Sequence, residues 1–431
     1  MIIEALEIAF MLLTALMLAY TIRHYIFTIT VLRKKNNASL SVHETFEPTV
    51  TILIPAHNEE KVVGRLLKRI TELTYPRSKM QVIIINDASV DNTGKIADEY
   101  SRANPFIQII HRVQGLGGKG KAYAMNDGFK LATGEIVLCF DADYYPQKDI
   151  IEKLTGAFID PKVGAVQGRV VVLNEPQNIV TRLVALERIG GYRVDQEARD
   201  SLGLITQFGG TVGGFRRSLL ESLNGWDCSL LAEDTDLTFR VYLAGFKIRY
   251  NVNAECYEEA VDNWKAYRKQ RYRWAKGHMQ CFFKHALNVL KSNNLTLKEK
   301  IDGLLLLNVY FMPIMVLFSL LIGVALICFG STFIGVLWFS VPFFLFSFVG
   351  NFAPFFEVGI GVYLDGRTRT QWLIPLLIFI FFYSIPICTI ALLDLFVSKL
   401  LRRNSNVWVK TSHLGNGNRY IENERINLKR A

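Results

Sequence analysis

Long stretches of this chain lack charge: no Asp, Glu, Lys or Arg occurs across residues 303–356, and none across 371–393. A membrane span needs about 20 apolar residues, so the first stretch has room for two crossings and the second for one. Cysteine is also scarce. The six cysteines, at 139, 228, 256, 281, 328 and 388, include no Cys-x-x-Cys pair and no framework spacing, which argues against a disulfide scaffold or zinc ribbon and fits a reducing compartment. No stripe of basic residues interleaved with aromatics lies outside 268–273, and nucleic acid is therefore not expected as a partner although the net charge is +10. The glycine-rich turn at 115–122 lacks the Gly-Lys-Ser/Thr ending of a Walker loop, which disfavours an ATPase. The N-terminal apolar run 5–22 carries only Glu7, and its basic residues (Arg23, His24, Arg33, Lys34, Lys35) follow it instead of preceding it. With no small-residue cleavage site either, it reads as a retained anchor and not a secretory signal.

Half of the 431 residues are hydrophobic and 20% are charged, too apolar for a soluble enzyme of this length and too charged to lie wholly in a bilayer. Many Lys and Arg lie in 33–300 and after residue 401. Basic loops stay on the cytoplasmic side, so the polar middle is expected to be cytosolic in a multi-pass protein of the cell (plasma) membrane.

Within that middle, short β-branched runs at 49–55, 82–85, 107–110 and 136–140 alternate with helical patterns at 59–73, 91–101 and 123–131. Strands alternating with helices predict a mostly parallel α/β sheet whose ligands sit at the carboxyl ends of the strands. Asn58, Glu59, Asp87, Asp141 and Asp143 all follow a strand directly.

Asp141-x-Asp143 is the central chemical signal. Two carboxylates two residues apart, just past a buried strand, can hold a hard divalent cation such as Mg²⁺ or Mn²⁺ that completes its shell with diphosphate oxygens. Alone, such a pair is more often simply solvated. Upstream, the glycine-rich turn precedes a helix, where backbone N–H groups and Lys119 or Lys121 suit a phosphate; a flexible turn is the plain alternative. Glu233-Asp234 opens another helix, and either the pair caps it or one carboxylate accepts a proton from an attacking hydroxyl. In the helical stretch 263–290, Gln270, Arg273 and Trp274 share a face while Arg271 points elsewhere. That face offers an amide, a guanidinium for diphosphate and a flat ring for a sugar; an amphipathic helix at the lipid surface is the other reading.

These ordered motifs resemble the family 2 inverting glycosyltransferases of GT-A fold, specifically the membrane-embedded processive β-glycan synthases that make cellulose, glucomannan, poly-N-acetylglucosamine and hyaluronan. The resemblance covers residues 45–415. It implies that Pro55, Asn58, Glu59 and Asp87 hold the uridine part of a UDP-sugar, and that Lys121, Asp141, Gln270 and Arg273 reach its diphosphate. Asp141 and Asp143 match the metal motif, and Asp234, beside Glu233, matches the base. Phe208, Gly209, Gly210 and Thr211 look like the acceptor-side loop, with Trp274 supporting the acceptor sugar. Trp408, Val409, Lys410 and Thr411 resemble a gating loop, although its usual Phe-x-Val-Thr pattern is altered.

The implied architecture is a Rossmann-like mixed-sheet GT-A cytosolic domain with interfacial amphipathic helices and transmembrane helices at both ends. By residue number this gives an anchor and basic linker at 1–35, the catalytic domain at 45–260, interfacial helices at 261–300, a membrane region at 301–400 and a basic cytosolic tail at 401–431. The implied function is metal-dependent, processive transfer of a hexose to a growing β-linked polysaccharide, a β-glucan or similar, that residues 303–397 would pass across the membrane; the two alternatives are a single transfer to a polyprenyl-phosphate or other lipid acceptor, and a poly-N-acetylglucosamine or hyaluronan type of synthesis. If 303–328 and 331–352 each cross once, one more full crossing by 372–397 would leave the 408–411 loop outside. That segment, which contains Pro375 and Pro386, is therefore expected to be broken or re-entrant.

Overall fold

A computed structural model describes residues 1–34, 46–115, 117–331, 341, 349–401 and 415. The expected gating residues Trp408 to Thr411, and most of 331–352, lie outside the described residues.

The four expected strands form β1 (Val50–Ala56), β2 (Met80–Asp87), β3 (Ile107–Arg112) and β4 (Ile136–Cys139), paired parallel in the order β3-β2-β1-β4. Their apolar runs are continuous because both faces are covered. Ile52, Ile54, Val82 and Ile84 join Leu66, Leu67 and Ile70 of the helix Val63–Thr71 on one side. Leu53, Ile83, Ile85 and Val137 join Ala124 and Met125 of the helix Lys121–Phe129, and Leu237 of the helix Glu233–Leu243, on the other.

Beyond β4 the sheet stops being parallel. A two-residue strand β5 (Tyr145–Pro146), β6 (Val163–Val172), β7 (Gly213–Arg216) and β8 (Lys247–Glu258) complete an eight-stranded sheet in the order β3-β2-β1-β4-β7-β6-β8-β5. Strand β7 runs antiparallel to both β4 and β6, while β6 and β8 pair parallel. The expected mostly parallel sheet is therefore half of a mixed one.

Three helices are long and apolar enough to cross a membrane: Ile2–Arg33, Val309–Cys328 and Thr370–Leu400. At 32 residues the first is about 48 Å long against a hydrocarbon core of about 30 Å. Its surplus packs onto the α/β part of the chain. Arg23 bonds Asp195 at 2.7 Å and Asp302 at 3.1 Å, and Phe27 and Val31 pack on Val194 and Ala198. Arg23 is thus a buried structural cation, not the exposed flank of an anchor. The break expected in the last segment is absent at Pro386, because the helix Leu377–Leu400 runs unbroken through it. The hydroxyls of Ser384 and Thr389 bond the carbonyls of Phe381 and Ile385 on either side of that proline. Pro375 lies in the tighter-wound stretch Thr368–Leu376 that leads into the helix.

The helix Trp264–Lys291, capped by the Asn263 side chain on the N–H of Ala266, ties the two parts together. Its buried Lys276 bonds Asp394 of the last helix at 2.6 Å, as does the Tyr272 hydroxyl.

Candidate active site

The site is assembled where β1, β2 and β4 end. Strand β4 delivers Asp141, whose N–H donates to the Thr211 hydroxyl at 3.0 Å. Lys121 stands at the start of its helix after Gly120, which takes φ +128°, and its ammonium pairs with Asp141 and donates to the Gly210 carbonyl at 2.7 Å. Burial works against the charged Lys121, but the Asp141 and Glu233 carboxylates outweigh it and raise its pKa. Strand end, helix start and the 209–211 loop are thereby drawn onto one ammonium.

Asp234 is on the first turn of the helix Glu233–Leu243, with Oδ1 accepting the Thr235 N–H at 2.6 Å. A Cβ placed on Gly210, which has φ +84°, would lie 3.0 Å from Asp234 Oδ2, so only glycine lets this loop pass the carboxylate. Glu233 is raised to about 7 by burial and by repulsion from Asp234, offset by Lys121 and Arg273. At neutral pH the pair of carboxylates therefore carries less than two full charges.

Arg273 has no ion-pair partner among the described residues, and its charge acts on Glu233. Trp274 sits between two guanidiniums, 5.1 Å from that of Arg188 and 4.4 Å from that of Arg271. Each is held by a carboxylate: Arg188 makes a two-point bond to Glu258, and Arg271 bonds Glu187 at 2.7 Å. The expectation that Arg271 points elsewhere is corrected, because Tyr267, Gln270, Arg271, Trp274 and His278 form one stripe at helical spacing, with Arg273 flanking it, and all line the same cavity.

That cavity measures about 1270 Å³ and joins two environments. At one end its wall includes Pro55, Glu59, Asp87, Asp141 and Asp143; in the middle stand Gly209, Gly210, Thr211, Glu233 and Asp234; at the other end lie Met312, Val316, Leu320, Val324 and Ile327 of the helix Met312–Cys328, facing Phe10 and Met17 of the first helix. Met312 to Ile327 rises about 22 Å, most of a bilayer's hydrocarbon thickness.

Two expected residues do not reach this wall. Phe208 is fully buried and packs edge-on against Phe215 at 4.7 Å, because its backbone N–H is held by Thr238 and the side chain turns into the core. Asn58, at φ +54°, bonds the Val90 N–H through Oδ1 at 2.8 Å and so ties the ends of β1 and β2 together. Asp87 reaches the cavity but is already paired with Arg112.

Other groups here were not foreseen. Gln167, fully buried on β6, accepts the Gly209 N–H at 2.7 Å and donates to the carbonyls of Gly168, Thr211 and Val212, which fixes the 209–212 loop although Val212 takes φ +54°. Tyr192 and Gln196 come from the π-wound segment Ile189–Gln196, a rare winding often found at functional sites. Nothing in local sequence announces these. His278, by contrast, lies one turn beyond Trp274, and helical spacing alone would have found it.

No cluster of three or more metal-ligating side chains occurs among the described residues. Asp141 and Asp143 supply two carboxylates at the cavity wall, which suits a hard cation that takes its remaining oxygens from a diphosphate and water.

The chain is 38% identical over 245 residues to the probable glycosyltransferase YdaM of Bacillus subtilis, covering 57% of this chain and 58% of that protein. It is 33% identical over 234 residues to a beta-monoglucosyldiacylglycerol synthase of Synechocystis, covering 54% and 48%, and 29% identical over 258 residues to a poly-beta-1,6-N-acetyl-D-glucosamine synthase of Staphylococcus epidermidis, covering 60% and 61%. The chain thus spans about half to three fifths of the curated relatives it matches. Among solved structures, the mannosyltransferase PcManGT of Pyrobaculum calidifontis, in complex with GDP-Man and Mn²⁺, superposes with a TM-score of 0.58 at 22% identity over 84% of this chain and 99% of that one, a likeness of fold. The model of the Glycosyltransferase like family 2 matches residues 48–277, more than half of the sequence and the whole span from β1 to the Gln270–Trp274 motif, and this chain belongs to that family.

Proposed function

We propose that this protein transfers a hexose from a UDP-sugar, with inversion at C1, to a hydroxyl acceptor delivered from the membrane. One observation carries the reading: a single cavity runs from the Asp141 and Asp143 carboxylates, past Asp234, into an aliphatic groove along a candidate membrane span.

In this reading the acceptor oxygen attacks C1 as the bond from C1 to the β-phosphate oxygen breaks. Its proton passes to Asp234, whose Oδ1 is fixed by the Thr235 N–H. Negative charge collects on the departing UDP, where Lys121 and Arg273 lie at the same wall. A Mg²⁺ or Mn²⁺ held by Asp141 and Asp143 would neutralise part of that charge. A single base suffices for inversion, and no covalent sugar intermediate is needed. Pro55, Glu59 and Asp87 line the end of the cavity that would take the nucleoside.

The groove bears on the acceptor. Met312, Val316, Leu320, Val324 and Ile327 present no hydrogen-bonding side chain, and of the polar groups lining the cavity with them, Thr21, Ser319, Asn351 and Ser384, two already donate to the carbonyls of Met17 and Phe381, so a polysaccharide would replace few of its bonds to water. Alkyl chains lose nothing there, so a lipid-borne alcohol is the acceptor this lining favours. A growing β-glycan is the second reading, favoured by the flat Trp274 ring in the same cavity wall as Asp234 and by the length of the groove.

Purified full-length protein incubated separately with radiolabelled UDP-glucose, UDP-N-acetylglucosamine, UDP-glucuronate and GDP-mannose, with membrane lipids and Mg²⁺ or Mn²⁺, tests both. Label in a discrete organic-soluble β-glycoside supports lipid transfer, and label in a high-molecular-weight ladder supports polymerisation. An α-configured product, or full turnover in Asp143→Asn, contradicts the proposal.

A further inference from the structure

Among the described residues, the cavity wall between Asp234 and the aliphatic groove is polar, and its cations other than Arg273 are paired with carboxylates. Gln207 donates through Nε2 to the Thr235 hydroxyl at 2.9 Å, and its backbone N–H donates to Gln196 Oε1 at 3.0 Å. Gln196 Nε2 donates back to the Gln207 carbonyl at 2.6 Å. The Thr235 hydroxyl also meets His278 Nε2 at 3.2 Å, and the His278 ring packs on Tyr310 at 4.6 Å. The chain of bonds holds the Gln207 side chain in place while leaving its Oε1 without a partner among the described residues.

Tyr192 stands beside this chain of bonds, four residues before Gln196 on the π-wound segment. Its hydroxyl is so close to the 209–211 loop that a Cβ on Gly209 would meet it at 2.7 Å, and it too has no hydrogen-bond partner among the described residues. Neither the Tyr192 hydroxyl nor Gln207 Oε1 is among the buried polar atoms left unsatisfied, so both open onto the cavity that they line. The result is one donor-acceptor and one acceptor, both preset along the 207–211 loop beside Asp234.

The charged neighbours cancel. Arg23 and Arg199 bond Asp302 from two sides, and both also reach Asp195, so two guanidiniums face two carboxylates. Arg188 is spent on Glu258. Burial lowers the His278 imidazole to about 4 despite the pull of Asp234, which leaves it neutral at physiological pH. Among the described residues, a phosphate entering here would find no unpaired cation other than Arg273 at the donor end, and it would stand beside Asp234.

Resting on the transfer reading above, we propose that Tyr192, Gln207 and His278 form the acceptor subsite, and that it takes the uncharged polyol headgroup of a lipid, a glycerol or a sugar carrying alkyl chains, in preference to a phosphate-bearing polyprenol. The hydroxyls of such a headgroup match an acceptor amide oxygen and a phenol that both gives and takes. Its tails enter the groove between Met17 and Val316.

The test uses full-length protein in nanodiscs and follows UDP release. Dioleoylglycerol or glucosyl-dioleoylglycerol is expected to accelerate release, and undecaprenyl phosphate is not; the two neutral lipids tell glycerol from sugar headgroups. Tyr192→Phe and Gln207→Leu should each raise the KM for the neutral lipid by roughly three- to tenfold, the loss of one or two hydrogen bonds, with the KM for the donor moving less than twofold. A conservative Gln207→Asn restoring part of the effect separates a subsite from damage to the fold. Acceleration by undecaprenyl phosphate alone, or by no lipid while UDP release proceeds, overturns the proposal. If no donor is turned over, the transfer reading fails, and crosslinking of a diazirine-bearing diacylglycerol still decides the subsite: label mapping to the 312–327 stripe, competed by dioleoylglycerol and weakened in Gln207→Leu, supports it, and label elsewhere overturns it.

Discussion

Replacing Asp234 by Asn removes one function and leaves nearly everything else. The Thr235 N–H that donates to Asp234 Oδ1 at 2.6 Å finds the same carbonyl oxygen in Asn, so the first turn of the helix Glu233–Leu243 keeps its bond. The second oxygen, the one 3.0 Å from where a Gly210 Cβ would stand, becomes an amide nitrogen that cannot accept a proton. If it is the base, turnover should fall by roughly 10²- to 10⁴-fold, about 3–5 kcal/mol of barrier. The KM for the nucleotide sugar should stay within about threefold, because the groups at the donor end are untouched. Loss of the Asp234 charge also removes the repulsion that helps hold Glu233 at about 7, so any residual activity should shift its acidic limb to lower pH. Initial rates of UDP release over pH 5–9, with the thermal midpoint as a control, measure all three. More than a tenth of wild-type turnover at an unchanged midpoint would refute the assignment.

Glu233 makes a separate prediction. Its folded-state pKa, about 7, lies above the 4.5 of an ordinary glutamate, so the folded protein binds the extra proton between those values. Stability should therefore be highest below about pH 4.5 as far as this group is concerned and decline as the pH rises through 7, and Glu233→Gln should flatten that slope in thermal melts. Gly210→Ala forces a side chain into a left-handed conformation at φ +84° and against Asp234; it should cost about 1–2 kcal/mol of stability and lower turnover roughly ten- to hundredfold, read by melting and kinetics together. Gln167→Leu strands the Gly209 N–H and frees the loop that Gln167 holds, and a drop of about 1–3 kcal/mol with a raised acceptor KM is expected. Equal stability in this variant would show that the loop needs no such clamp.

Some of this was legible before any coordinates. The four parallel strands and the carboxylates after β1, β2 and β4 were read correctly because each is a local pattern: a β-branched run, a turn, a polar residue. The period of one helix likewise puts Gln270 and Trp274 on one face, but it misplaces Arg271, which shares their stripe while Arg273 flanks it. The antiparallel strand β7, which opens with Gly213 and Gly214, carries no such pattern. A Cβ at either glycine would fall within about 2.2 Å of a neighbouring strand's carbonyl, so these residues mark close sheet contact and not a loop.

The chain's own order of residues determined its membrane-sized apolar runs, the alternation that builds half the sheet, and the succession of acidic and basic motifs, since each depends on neighbours a few positions apart. Tertiary structure alone decided which side chains meet. Arg23 finds Asp302 across 279 positions, and Lys121 finds Gly210 across 89. Phe208 turns inward while Gly209 beside it turns to the cavity, and Tyr192 comes to the site from a π-wound segment. Such pairings depend on how the sheet, the π-wound segment and the first helix pack, and no short stretch of sequence encodes that packing.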